Sequence, residues 1–379
     1  MTVDYAASGL LQASFFEILD PNRRAIDELR GVTSATRERN IYATPRSGAN
    51  IEMTLQQPLS FERIRVRWWA SAKSPEGDSG LVPLFTGIPV SPGERRSQAG
   101  TSVSLSLLDF STILDTPLGK HHAVSPGDLV TGRLRSVLTA AGADAVITES
   151  SATVSAGMFW LATETKRRMV NDLLEAIGYS VVWADAWGRL RCEPYVAPGA
   201  RPVESDLGFI HGETCTYKPT FTVEHDTSTV PNHAVVTARM MGGLEPVVGE
   251  AWLPAVHPYS VQNREGREVP YVEADVDLAV APLPDGASTA DTDAYLGRVK
   301  AAADAYAARR LQERSTPARS YLVENRWRPF ELQQATRFYS PARGASPEIR
   351  RAVTIGKDTT KYIAGGPLTM STTLLEVPA

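Results

Sequence analysis

Between residues 166 and 195 the apolar positions change their period once. Met169, Val170, Leu173, Leu174 and Ile177 recur every three or four residues, the spacing of one helical face, with polar residues between them. Gly178 follows directly, where a helix end takes a residue that tolerates positive φ. Residues 179–183 are then apolar and β-branched enough for a strand. Asp185-Ala186-Trp187-Gly188 supplies a turn, and residues 189–193 return with Leu190 and Cys192 on one face. A helix feeding a two-stranded hairpin is a packing unit with no room for a catalytic constellation. The stretch points to a construction part.

Upstream, strand alternation dominates. Residues 15–19 (Phe-Phe-Glu-Ile-Leu) stop at the turn Asp20-Pro21-Asn22. Ile51, Met53 and Leu55 alternate with Glu52 and Thr54. Residues 63–68 alternate strictly, placing Arg63, Arg65 and Arg67 on one face and Ile64, Val66 and Trp68 on the other. Val103, Leu105 and Leu107 alternate with Ser102, Ser104 and Ser106. Gly/Pro/Ser runs at 74–80 and 91–100 predict turns. Short strands so separated predict a small barrel or sandwich over residues 1–118.

Helices enter from about residue 120. Ser125-Pro126-Gly127-Asp128 has the form of a helix start: a side-chain cap, proline at the first position, then an acid. Leu129, Val130, Leu134, Val137, Leu138 and Ala141 predict its buried stripe, and Gly142 its end. With the 166–195 unit this predicts an α/β middle domain, residues 119–205. Strand patterning returns at 232–238 and 271–280. A third helix is predicted over 291–314, with Leu296, Val299, Ala303 and Tyr306 on one face. Strand patterning stops near Gly242 and resumes near Ser320, then continues to residue 375. That bracketing predicts a second, discontinuous β-barrel-like module, residues 206–242 and 318–379, around an inserted lobe, residues 243–317. Residues 282–290 are the best linker. The expected fold class is α+β, mostly β: two β-barrel-like modules, an α/β middle domain and a further helical lobe.

Composition narrows the functions. A chain of 379 residues exceeds what one core supports and predicts two to four domains. With 39 basic against 43 acidic residues and a net charge of −4, there is no broad basic field to hold nucleic acid by counterion release. The two cysteines, Cys192 and Cys215, cannot make a disulfide framework, and Cys192 shares a strand face with Leu190, so it reads as a buried free thiol. The N-terminus lacks a charged segment followed by an apolar run, and no apolar stretch approaches the ~20 residues of a membrane helix. Synthesis and folding in a reducing cytoplasm are expected.

The apparent catalytic motifs fail one at a time. Gly77-Asp78-Ser79-Gly80 looks like the nucleophile loop of trypsin-like proteases. No histidine precedes Ser79, the first being His121, and Leu81 stands where that loop needs glycine. The four residues read as a hairpin turn. His211-Gly212-Glu213 matches half of a zinc deaminase signature, but Cys215 has no second cysteine beside it. Gly356-Lys357 lacks the upstream glycine, replaced by Arg351, and the following Ser/Thr of a phosphate loop. His121-His122 has no Cys or acid at a ligand spacing and reads as a solvated loop. Arg63, Arg65 and Arg67 read as a solvated strand face. Trp68-Trp69 reads as core packing, since neighbours on a strand point to opposite faces. No catalytic, cofactor-binding or metal-ligating residue is assigned, no cofactor is expected, and the protein is not expected to be an enzyme. A paired-carboxylate glycosidase stays open, because any two of 43 acids can meet in space.

The organisation as a whole resembles the tail hub proteins of long-tailed phages, also called baseplate hub or minor tail proteins. Residues 82–88 (Val-Pro-Leu-Phe-Thr-Gly-Ile) look like that family's strand entering a Gly turn. Residues 101–115 look like the strand that ends in an aspartate before the middle domain. Residues 166–195 are similar to that domain's helix and hairpin, and residues 231–237 (Pro-Asn-His-Ala-Val-Val-Thr) resemble the strand that re-enters a barrel after it. The resemblance covers most of the chain in order. It implies a structural protein at the virion tail tip, made in the host bacterial cytoplasm. It also implies a homotrimeric ring that adapts a six-fold tail tube to three-fold components below. The implied neighbours are the distal tail or tail tube protein, the tape-measure C-terminus and a tail fibre or spike, with genome DNA passing through the lumen without tight binding. Two alternatives are carried: a carbohydrate-active or cell-wall-degrading tail enzyme, and the hub of a contractile injection machine.

Overall fold

Alternation of apolar and polar side chains sets nearly half of this chain into sheet. The structure is a computed structural model describing residues 3, 5, 9–98, 100–154, 157–210, 217–224, 230–240, 244–278, 280, 283, 287–315, 319–344 and 346–377. Strands β1 (Leu11–Leu19), β2 (Ala25–Glu28), β3 (Val32–Asn40) and β4 (Ser47–Thr54) come first. β5 (Arg65–Lys73), β6 (Ser79–Ser97) and β7 (Gly100–Asp109) follow. They lie in the order β3-β4-β7-β6-β5-β1-β2, antiparallel throughout. The inward sets are those the alternation predicts: Ile51 and Met53, Ile64, Val66 and Trp68, and Val103, Leu105 and Leu107 are all buried.

Two expected turns in this region are strand instead. β6 runs through most of the 91–100 segment and meets β7 at Ser97↔Gly100. Of β6, only Ser79–Gly87 pairs with β5, so Pro89 and Pro92 sit on a stretch with one neighbour, where proline is tolerated. Gly87 does not turn the chain either. A Cβ there would lie 2.3 Å from the Phe85 ring, so glycine serves a close approach within β6.

Asp109 ends β7 and caps the 3₁₀ turn Phe110–Asp115 by accepting from the Ser111 N–H. The middle region comprises β8 (His122–Val124), α1 (Val130–Ala140), β9 (Ala145–Ile147), β10 (Met158–Trp160), α2 (Lys166–Ala176), β11 (Trp183–Ala184) and β12 (Leu190–Cys192). α1 starts later than its apparent signature. Asp128 accepts from the Ser125 N–H at 3.0 Å and Gly127 has φ +88°, so 125–128 closes a turn, and Leu129 caps the helix without a side-chain bond. Leu129 itself is exposed.

α2 matches the pattern closely. Thr165 caps it through the Arg168 N–H, Met169, Val170, Leu173 and Leu174 are buried, and Gly178 (φ +72°) ends it. The strand expected over 179–183 shrinks to β11. Its backbone is instead held by Asn171, whose side chain accepts from the Val182 N–H at 3.0 Å, and by Glu193 O, which accepts from the Ser180 N–H. His122 lies on a strand paired with β10, a correction to the expected loop.

Beyond it lie β13 (Val203–Ile210), β14 (Tyr217–Glu224), β15 (His233–Ala238), β16 (Val248–Trp252), β17 (Pro270–Val276) and α3 (Thr289–Arg314). β18 (Ser320–Arg326), β19 (Ala335–Ser340), β20 (Ile349–Ile363) and β21 (Thr369–Glu376) complete the chain. β15 corrects an expectation. Its pattern predicts a place in the second barrel-like module, but it lies between β16 and β17 in a separate sheet. The cause is packing: Ala234 and Val236 are covered by Tyr306, Ala307 and Leu311 of α3. α3 begins at a Ser288–Asp291 capping box, slightly before the expected start, and takes up the end of the expected linker at 282–290. Gly249 lets β16 and α3 touch, since a Cβ would meet the Ala303 carbonyl carbon at 2.3 Å.

The second β region lies in the order β14-β18-β21-β20-β19-β13. Setting β2 aside, the first region reads second-third-sixth-fifth-fourth-first in chain order, and the second region reads the same. In each, the fifth strand is long, with 19 residues in β6 and 15 in β20. In each, its first part pairs with the fourth strand and its later part with the sixth. The regions differ at their first strand: β1 is antiparallel to β5, whereas β13 is parallel to β19. β3 pairs with β20 and fuses both into one 13-stranded sheet. A single apolar cluster joins Phe16, Trp68 and Phe85 to Tyr321, Trp327 and Met370.

Candidate functional site

The residues singled out for chemistry do not converge. Ser79 opens β6 opposite Lys73, and Gly356 sits within β20 against Leu375. His121 stacks on Phe159 at 5.6 Å. His211, Gly212, Glu213 and Cys215 lie outside the described residues. Among the described residues no three His, Cys, Asp or Glu side chains gather as a metal site. Cys192 is fully buried, and burial, helped by Glu193, pushes its thiol up to about 12. Iodoacetamide at pH 8 is therefore expected to leave Cys192 unmodified in native protein and to alkylate it on unfolding. Peptide mass mapping checks this, and native labelling of Cys192 would contradict its burial.

What the sequence does assemble is a set of joints between units. At the β3–β20 seam, Arg37 faces Thr360 and Arg39 faces Asp358 across the ladder. All four side chains are buried. Asp358 accepts from Arg37 Nη2 at 2.9 Å and from Arg39 Nε at 2.8 Å. Arg37 Nη1 reaches Leu84 O at 2.8 Å in β6, and Arg39 Nη2 reaches Phe330 O between β18 and β19. Burial, then the neighbouring Arg39 charge, pushes the Arg37 guanidinium down to about 10, so it stays charged at neutral pH. A pair of cations sharing one buried carboxylate fixes register between the two regions, because any slip strands a charge.

The second joint seats the β11–β12 hairpin on the first region. Trp69 and Trp187 meet edge to face at 5.3 Å. Arg67 Nε donates to Thr86 Oγ1 at 3.1 Å, and that hydroxyl donates to Ala186 O at 2.7 Å. The Arg67 guanidinium lies 5.0 Å from the Trp187 ring centre. The expected solvated arginine face is thus corrected at Arg67, which is withdrawn into the joint. Trp68 and Trp69 are both buried, on opposite sides of β5.

A third joint ties α2 to α3. Glu175 accepts from the Tyr306 hydroxyl and from Arg310 Nη2 at 2.7 Å, and Glu273 sits 3.3 Å from Arg310 Nε. Burial, then Glu175, raises the Tyr306 pKa, which keeps the phenol a donor. Where all the units meet, a cleft of about 360 Å³ opens, lined among others by Tyr42, Arg46, Glu175, Arg201, Arg310 and Gln333.

The seam leaves almost no trace in local sequence. Its one available signal was phase: Ala35, Arg37 and Arg39 share a strand face, so two arginines occupy core positions of β3.

No protein-family model matches the chain, and no curated protein matches it. Solved structures do. The tail protein from Neisseria meningitidis MC58 is similar over 96% of this chain and 96% of its own, with a TM-score of 0.60 and 13% identity. The 43 kDa tail protein of prophage MuSo2 from Shewanella oneidensis is similar over 96% and 98%, at 0.59 and 12%. In the half-lidded Francisella PdpA–VgrG complex, 97% of this chain matches 58% of a chain, at 0.55 and 8%. At such identities the shared property is the fold. The chain has the fold of these tail proteins along nearly its whole length, and the tail-hub resemblance holds at that level.

Proposed function

We propose that the chain is a structural hub of a phage tail tip, working as a homotrimeric ring that adapts a six-fold tail tube to three-fold components. One observation carries this reading: the same strand order occurs twice in one chain, in two regions locked together by a buried ionic seam. Three such chains offer six similar surfaces to the tube above and three distinct ones below. The units that serve this role are residues 1–118, a middle domain from 119 to the start of β13, and a second module of β13, β14 and β18–β21. A lobe of β15–β17 and α3 interrupts the second module.

The neighbours in this reading are the distal tail or tail tube protein, the tape-measure C-terminus and a tail fibre or spike. It places the protein at the virion tail tip after synthesis in the host cytoplasm. Genome DNA slides through the lumen, and a net charge of −4 suits a wall that does not hold phosphates. The role is structural and not catalytic, so purified protein should not turn over host cell walls. A second reading, the hub of a contractile injection machine, keeps the ring and changes the neighbours; the likeness to the VgrG complex supports it.

Light scattering on purified protein, or on protein mixed with its tube partner, is expected to give the mass of three chains. A reconstruction of the assembled tip should show the two regions alternating around a six-membered ring. A ring of six chains, or two regions that occupy unrelated positions, would sink the proposal.

A further inference from the structure

The cleft where the units meet holds two arginines, Arg46 and Arg201, that no carboxylate pairs at ion-pair distance among the described residues. The β3–β4 connection carries Tyr42 and Arg46 into it from the first region. Arg46 is half-buried and also lines two smaller adjoining hollows. Among the described residues, no carboxylate lies within ion-pair distance of its guanidinium and no side chain hydrogen-bonds it.

The acids that line the cleft are already engaged. Arg310 is paired with Glu175 and Glu313, and Arg309 lies 3.5 Å from Glu175. Glu376 accepts from the Tyr321 hydroxyl and pairs with Arg351. Asp109, the acid whose charge acts on Arg46, has its oxygens occupied by the Ser47 N–H and by the N–H and hydroxyl of Ser111. Arg201 adds a second cation. Its Nε and Nη1 donate to Val196 O and Gln333 O, which aims the guanidinium but leaves its charge uncompensated. Burial pushes Arg46 down to about 10; the Asp109 charge opposes that shift and the Arg201 charge adds to it. Two half-buried cations against the one Asp109 charge leave the cleft short of an anion.

We propose that this cleft binds a carboxylate-bearing segment of a partner polypeptide, with Arg46 and Arg201 gripping the carboxylate. The fork geometry of arginine suits a bidentate carboxylate. Exposed Tyr42 and Val181 beside it offer apolar contact to the residues flanking the acid. The occupant is a peptide segment because the lining mixes aromatic and aliphatic side chains with the two cations. The site does not depend on the ring proposed above.

The test uses the full chain, with hexaglutamate peptide as probe, hexaglutamine as control and inorganic phosphate as competitor, read by calorimetry. Hexaglutamate is expected to bind at least about tenfold more tightly than hexaglutamine, and Arg46→Gln to lose at least about tenfold of that affinity. Arg46→Lys, which keeps the charge and loses the fork, should fall between the two. Free of ligand, Arg46→Gln should melt no lower than the parent, because it removes a half-buried cation that no side chain bonds. Phosphate should displace the peptide only at large excess. Peptide binding that Arg46→Gln leaves unchanged would overturn the proposal. So would a marked loss of melting temperature in that variant, which would make Arg46 a framework residue. Phosphate binding as tightly as the peptide would overturn the peptide as occupant.

Discussion

Asp358→Ala is expected to lower the free energy of unfolding by about 3–5 kcal/mol, the largest single-site effect outside the apolar core. The carboxylate is fully buried and answers two buried guanidinium groups. Its removal leaves both without their shared counter-charge, in a place that water reaches poorly. The contribution is one of specificity more than of net stability. Replacing Arg37, Arg39 and Asp358 together by apolar residues of similar volume should cost far less than Asp358→Ala alone. Denaturant unfolding of both variants decides this. A single variant that unfolds at the parental midpoint would show that the seam is held by its ladder and apolar contacts alone.

Leu173→Ala should cost about 2–5 kcal/mol, the sum of lost transfer energy and a cavity. Leu173 is fully buried in a cluster with Leu134, Leu138, Trp160 and Leu190, so it joins both middle helices to the hairpin. A thermal melt unchanged within error would mean that α2 is not packed as described. Because the hairpin tip also forms the joint with Trp69, loosening α2 should expose Trp187 further, a change that tryptophan fluorescence reads.

Local periodicity made much of this fold legible. The stripes of α2 and α3 and the alternation in β4 and β7 name most of their buried residues, with Ile177, Leu296 and Leu55 only partly covered, since one covered face leaves a period in the sequence. Pairing was less legible. Asn232 to Ala238 has a strand pattern, but nothing within it says whether Val236 will meet a barrel wall or Tyr306 of α3. The Ser125 to Asp128 run has the residues of a helix cap, yet Gly127 at positive φ spends them on a turn. The joints were the least legible part. Nothing near Arg37 and Arg39 in sequence explains their burial; Asp358, more than 300 positions away, supplies the reason. Arg67 likewise looked solvated because Trp187 and Thr86 are distant in sequence and adjacent only after folding.

The β3–β20 pairing also sets a timetable for synthesis. β3 is complete early, but its outer edge is answered only by residues 357–363, on the far side of the whole chain. At about 5–20 residues per second, a nascent first module waits some tens of seconds with that edge open. An open edge is a template for pairing with another chain. During the wait Arg37 and Arg39 lie on that edge without Asp358, and their like charges repel a second copy presenting the same strand. The residues that fix register in the finished protein therefore also guard the unfinished one against joining itself.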